Sequence, residues 1–126
     1  WLEPGHRIPL LWSSSGQAFL AAMDAERFEA LEPDADMRAV RQDGYHQLLG
    51  QGFIIAAEAT RYASTVNAVS VPYDAGEFGE AVAFTCGATP DALPTARMHA
   101  EVGPALHRLV KALELRTGRA PALSQR

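Results

Sequence analysis

The stretch TVNAVSVPYDAGEFGEAVAFTCG, Thr65 to Gly87, limits what this chain can fold into more than any other part of it. Its first arm, Thr65 to Val71, is rich in β-branched residues, and its second, Glu80 to Cys86, is almost free of charge. Between them DAGEFG supplies the Asp and Gly that reverse a chain, so the stretch is expected to form a β-hairpin. Strand side chains alternate, which puts Thr65, Asn67, Val69 and Val71 on one face of the first arm and Val82, Phe84 and Cys86 on one face of the second. Neither arm has the polar face that water would demand. Helices are therefore expected on both sides of the sheet, or a cavity on one of them.

With 126 residues, 48% hydrophobic and 21% charged, the chain has the size and make-up of one globular domain spanning residues 1–126. A net charge of -4 provides no basic footprint for nucleic acid, whose phosphates demand one. One cysteine cannot close an internal disulfide, and neither a signal-peptide pattern nor a long apolar run is present. These features point to a cytoplasmic location and no membrane partner. The chain begins at Trp1, with no initiator Met, and reads as a fragment of a longer product.

In chain order, IPLLW, residues 8 to 12, reads as a short strand, and SSSGQAFLAAM as a helix start with Ser14 or Ser15 as N-cap. Such a terminus has free N–H groups and a positive dipole end, so it can hold a carboxylate or phosphate, although a plain serine cap is the commoner outcome. Asp24 is expected to cap AERFEALE, and Asp34 to cap ADMRAVRQ, with Gly44 as the residue just past that helix. GYHQLLGQ and GFIIAA read as strands around a turn at Gly50 to Gly52, and the FIIAA run as internal or in a subunit contact. Thr95 is expected to cap the longest helix, ARMHAEVGPALHRLVKALELRTG, kinked or split at Gly103 and Pro104 and ended by Gly118.

Chemistry is sparse. Cys86 would need a neighbour that lowers its pKa to act as a nucleophile, and a buried thiol is the commoner role. His6, His46, His99 and His107 lack the spacing of a zinc site, and no nucleotide or hydrolase motif is present. Asn67 stands between Val66 and Ala68 in a strand expected to be buried. Its amide must either bond a neighbouring loop or face a wet pocket.

Taken together, GHRIPLLWSSSGQAFLAAM, VRQDGY, VNAVSVPYD, AVAFTCG and the long helix with EVGPAL and LRTG resemble the C-terminal effector-binding domain of IclR-type bacterial transcriptional regulators. The resemblance implies an α+β, GAF-like fold, a curved antiparallel sheet with helices on both faces. It implies a domain that senses a small organic acid or aromatic metabolite, catalyses nothing, needs no cofactor or metal, and assembles as a homodimer or homotetramer. DNA would be bound by a separate N-terminal winged helix absent from these residues. Carried over by position, the resemblance marks Ser14, Ser15, Thr65, Asn67, Phe84 and Cys86 as pocket residues, with Glu58 the candidate for an acidic residue common in that region. Phe84 stands where a small polar residue is frequent in the family, and its ring would offer a surface to a flat, apolar ligand. The rival readings are a cysteine-dependent enzyme on a GAF-like scaffold and a purely structural dimerisation domain. With its acidic charge, this chain alone is expected to give no gel shift with duplex DNA at micromolar protein and physiological salt; a retarded band would overturn that.

Overall fold

In a computed structural model, residues 10–56, 66–74 and 81–122 are described. A single 3-10 turn, Leu10–Trp12, leads into α1 (Ser14–Ala22), α2 (Ala25–Ala30) and α3 (Ala35–Gly50). A two-residue strand β1 (Ile54–Ile55) follows, then β2 (Asn67–Asp74) and β3 (Ala81–Ala88). The chain ends in α4 (Thr95–Arg97), a π-helical turn at Met98–Val102 and α5 (Gly103–Thr117). The sheet is antiparallel in the order β1-β2-β3, with Ile54 opposite Ser70 and Val71 opposite Phe84. The hairpin of the sequence reading is present, with its arms placed a few residues later. The architecture is α+β with helices on both faces of the sheet, as expected from two strands that lack a polar face.

Each face has its own core. Val69, Val71 and Tyr73 of β2 pack with Phe53, Met98, Leu106 and Val110 on the α5 side. On the other side Ala18 and Ala21 of α1 meet Leu48 of α3, Ile54 of β1 and Ala83 of β3. The FIIAA run is thus internal to this chain at Phe53 and Ile54, which are 3% and 0% exposed.

The helix starts follow their side chains. Asp24 and Asp34 accept from Arg27 N and Met37 N at 2.8 Å, which are the caps expected. The cap of α1 is Ser13, accepting from Gly16 N at 3.1 Å, and not Ser14 or Ser15. Ser14 is committed elsewhere. At α4 the capping position belongs to Pro94, with no side-chain bond, instead of Thr95.

Three segments differ from their expected form. Leu10–Trp12, expected as the end of a strand, is a 3-10 turn. GYHQLLGQ continues α3 to Gly50 instead of forming a strand, so Gly44 is a mid-helix contact and not a C-cap. A Cβ on Gly44 would stand 3.1 Å from Ala21 Cβ and 3.3 Å from the Gln17 carbonyl oxygen, so glycine lets α3 lie close against α1. Among the described residues of GFIIAA, only Ile54–Ile55 join the sheet. Gln47 explains part of that, because its Oε1 accepts from Ile55 N at 3.0 Å. The long helix is divided at the place expected: Gly103 N donates to Met98 O in a widened turn just ahead of Pro104, which has no N–H to give.

Arg41 closes the helical layer. It donates to the carbonyl oxygens of Leu20 at 3.2 Å and Met23 at 2.7 Å and lies 4.4 Å over the Phe28 ring. The Met23 carbonyl lies past the end of α1, and the Leu20 carbonyl takes only a long 3.3 Å bond from Met23 N, so Arg41 completes the helix end.

Gly44→Val is expected to lower unfolding free energy by about 1 to 3 kcal/mol in a denaturant titration, because the methyls must push α1 from α3. Gly50→Ala, at a helical position with nothing within 4 Å, is expected to raise it by up to about 1 kcal/mol.

Candidate functional site

β2 sends polar groups to both faces of the sheet. On the α1 side Ser70 Oγ lies 2.8 Å from Ser14 Oγ and 2.7 Å from Thr85 Oγ1, a chain of three hydroxyls joining helix, central strand and outer strand. Ser14 and Ser70 are 3% and 0% exposed. Ser15, half-buried beside them, donates to Ser13 Oγ at a long 3.4 Å. On the α5 side Asn67 is buried and its Nδ2 donates to the Leu93 carbonyl at 2.8 Å. Of the two alternatives for this amide, a bond to a neighbouring loop is present.

The register sorts the remaining candidates. Cys86 pairs with Val69 and Phe84 with Val71, so both share the face of Asn67. Phe84 is 37% exposed, and its ring centroid lies 5.7 Å from that of Tyr73, tilted by 57°. Cys86 is exposed, which corrects the expectation of a buried thiol. It lies on the outer strand of the described sheet, which α5 covers less than it covers β2.

Asn67, Phe84 and Cys86 are therefore brought to one face, and Ser14 is not. A strand separates its hydroxyl from theirs, so Ser14, Asn67 and Cys86 do not bound one cavity. Glu58 and Thr65 lie outside the described residues. Ser70 and Thr85 were missed from sequence. They are directly cross-strand, and the signal was available in principle: two hydroxyl residues on one face of a hairpin, opposite a serine-rich helix start.

A small cleft of about 40 Å³ opens just ahead of β1, between Leu48, Gly52, Val71, Pro72, His107, Lys111 and Ala122. It is too small for a metabolite, which needs a few hundred Å³. His107 borders it and bonds the Gly52 carbonyl at 3.1 Å through Nδ1, which must carry the proton because the carbonyl can only accept. Among the described residues no group of three His, Cys, Asp or Glu could hold a metal ion, and no helix is long and apolar enough to cross a membrane.

The arrangement of α1, α3, the hairpin and α5 is shared with proteins of known structure. An IclR-family transcriptional regulator from Brucella abortus superposes with a TM-score of 0.72 over 92% of this chain at 22% identity. A putative IclR-type regulator from a Silicibacter species does so with a TM-score of 0.69 over 96% of the chain at 18% identity. The fold is that of IclR-type regulators. The inducer-binding domain of the transcription factor PobR from Acinetobacter, solved as a double mutant with 3-hydroxybenzoic acid, shares it with a TM-score of 0.63 over 86% of this chain at 19% identity. This chain spans 46% of the Brucella protein, 50% of the Silicibacter protein and 69% of the PobR domain. No family model matches the sequence, and no curated protein matches it.

Because Asn67 supports the loop before α4, Asn67→Leu is expected to destabilise the ligand-free protein by about 1 to 3 kcal/mol, leaving the Leu93 carbonyl without its donor. Thermal unfolding checks this. An unchanged or raised midpoint would mean that the amide is not a structural bonder.

Proposed function

We propose that the chain is the ligand-sensing domain of an IclR-type transcriptional regulator, in which a small organic acid or aromatic metabolite binds against the face of the hairpin that carries Asn67, Phe84 and Cys86. The observation that carries this reading is the exposed Phe84 ring, set against Tyr73 on the same face as an exposed Cys86, in a fold shared with a domain solved with a hydroxybenzoic acid. An aromatic ring and a thiol suit a flat ligand by stacking and soft contact. Thr65 and Glu58, close in sequence to Asn67, are the candidates for its polar contacts. Ser14 and Ser15 are assigned a supporting role, since the Ser14 hydroxyl is engaged by Ser70 behind the opposite face.

The neighbours of known structure are transcriptional regulators, which supports a sensing role over catalysis by Cys86. In this reading the domain acts in the cytoplasm, self-associates as a homodimer or homotetramer, and passes the change in ligation to a separate DNA-binding domain. The ligand would shift that equilibrium only by its differential affinity for the two conformations. The rival reading, a purely structural dimerisation domain, draws on the filled core on each side of β2.

A thermal-shift screen of hydroxybenzoates and small aliphatic acids separates the two. A true effector at a hundred times its dissociation constant adds about 2.7 kcal/mol of stability. Phe84→Ala is expected to weaken such a ligand about tenfold in calorimetry, an effect of about 1.4 kcal/mol. Stabilisation by none of the acids would favour the structural role. Stabilisation unaffected at Phe84 would move the ligand to another surface.

A further inference from the structure

The C-terminal end of α5 carries charges that are satisfied only in part. Glu114 follows Val110 by one turn on the buried stripe of α5, with its side chain 5% exposed. Its Oε1 pairs with Lys111 Nζ at 3.0 Å, while Oε2 is buried and accepts no hydrogen bond. Gly118, with φ at +68°, then turns the chain out of the helix, and Arg119 N donates to the Glu114 carbonyl at 3.0 Å. The Arg119 guanidinium reaches Asp74 Oδ2, at the end of β2, at 3.5 Å, whereas a well-formed pair of this kind closes to about 2.8 Å. Its Nε is buried with no acceptor. Three residues on, Ala122 is 4% exposed and fills one side of the cleft next to His107 and Val71.

Buried polar groups are almost always partnered, and leaving a charged one unpaired is costly. Here a carboxylate oxygen and a guanidinium N–H are both unpaired, five residues apart across a helix C-cap. Each is the chemical complement of the other. We propose that Gly118–Ala122 is a strap with two docked positions, distinguished by which carboxylate holds Arg119. In the position described, Asp74 holds it loosely and Ala122 closes the cleft. In the other, Arg119 Nε–H turns onto Glu114 Oε2, Asp74 is released, and Ala122 is drawn out of the cleft. Lys111, already on Glu114 Oε1, stays in place in both. Because Asp74 ends the strand that enters the hairpin turn, the strap couples that end of β2 to the last turn of α5. Whatever engages Asp74 or the cleft biases the strap. The device does not depend on the identity of any effector.

Nitrogen-15 spectra of the Arg119 Nε–H group report the switch in the 126-residue chain. Asp74→Asn is expected to slow Nε–H exchange with water about tenfold relative to the double variant Asp74→Asn with Glu114→Gln, and to weaken the Ala122 to His107 proton contact. Glu114→Gln alone is expected to keep Ala122 in the cleft. Equal exchange in Asp74→Asn and the double variant would overturn the proposal, since Glu114 would then offer Arg119 nothing. Should Asp74→Asn not fold, salt provides the second reading on the unaltered protein. Raising it to about 0.5 M screens the part-exposed Asp74 pair more than a buried one, so Nε–H protection rises if the second position exists. Protection that stays flat or falls would overturn the proposal equally.

Discussion

Everything in this structure hangs on a central strand buried on both faces. Val69, Val71 and Tyr73 commit one face of β2 to α5, and Ser70 sits at 0% exposure on the other, so neither helical layer is optional. A strand so enclosed cannot leave its polar side chains to water. Asn67, Ser70 and Asp74 each reach a different element: the loop before α4, the first turn of α1, and the segment after α5. The cost of burying three polar groups is offset by three attachments between the sheet and its surroundings, two of them short hydrogen bonds and the third the looser Asp74–Arg119 pair. Tyr73 adds a fourth through its hydroxyl, 2.8 Å from Thr117 Oγ1.

The helical layer on the α1 side solves a different problem, that of closeness. Alanines at 18, 21 and 22 and the glycine at 44 let α1 and α3 approach, and that thinness brings the Ser14 hydroxyl within reach of the sheet. On the opposite side the same device recurs where the Phe53 ring lies against Gly103: a Cβ there would stand 2.5 Å from the ring. A glycine needed for packing at the mouth of a helix, followed by a proline that cannot donate, leaves the backbone with a widened turn as its least costly route.

The hairpin, its two covered faces and two of the helix caps could be read from residues alone because each rests on a local rule: strand alternation, turn chemistry, or an Asp ahead of a helical pattern. GYHQLLGQ was misread because a glycine in a helix is locally unfavourable, and only the neighbouring Ala21 and Gln17 carbonyl make it necessary. The spacing of Met37, Val40, Gly44 and Leu48 did carry the helical repeat through it. Ser14 was read as a cap for the same kind of reason. A serine at a helix start is locally a cap, and its actual partner lies 56 residues away. The candidate site was legible in part: alternation alone places Phe84 and Cys86 on one face, but which helix lies over that face, and that Ser14 lies behind the other, depends on tertiary packing.

The difference between the central strand and the outer strand β3 bears on the proposed function. β2 is enclosed and tied at four points, whereas β3 keeps Val82, Phe84 and Cys86 exposed along the face that β2 devotes to core. On the proposed reading, a ligand would bind along the open outer strand while the tied central strand stays in place. Such binding would be felt beyond β3, because that strand is hydrogen-bonded along its length to β2, which packs against both α1 and α5. Thr85 ties that outer strand to Ser70 and so to α1, and Phe84 touches Tyr73 and so reaches α5. Any displacement of β3 therefore arrives at both helical layers through contacts that already exist. On the proposed reading, the domain would need no moving lid to report occupancy.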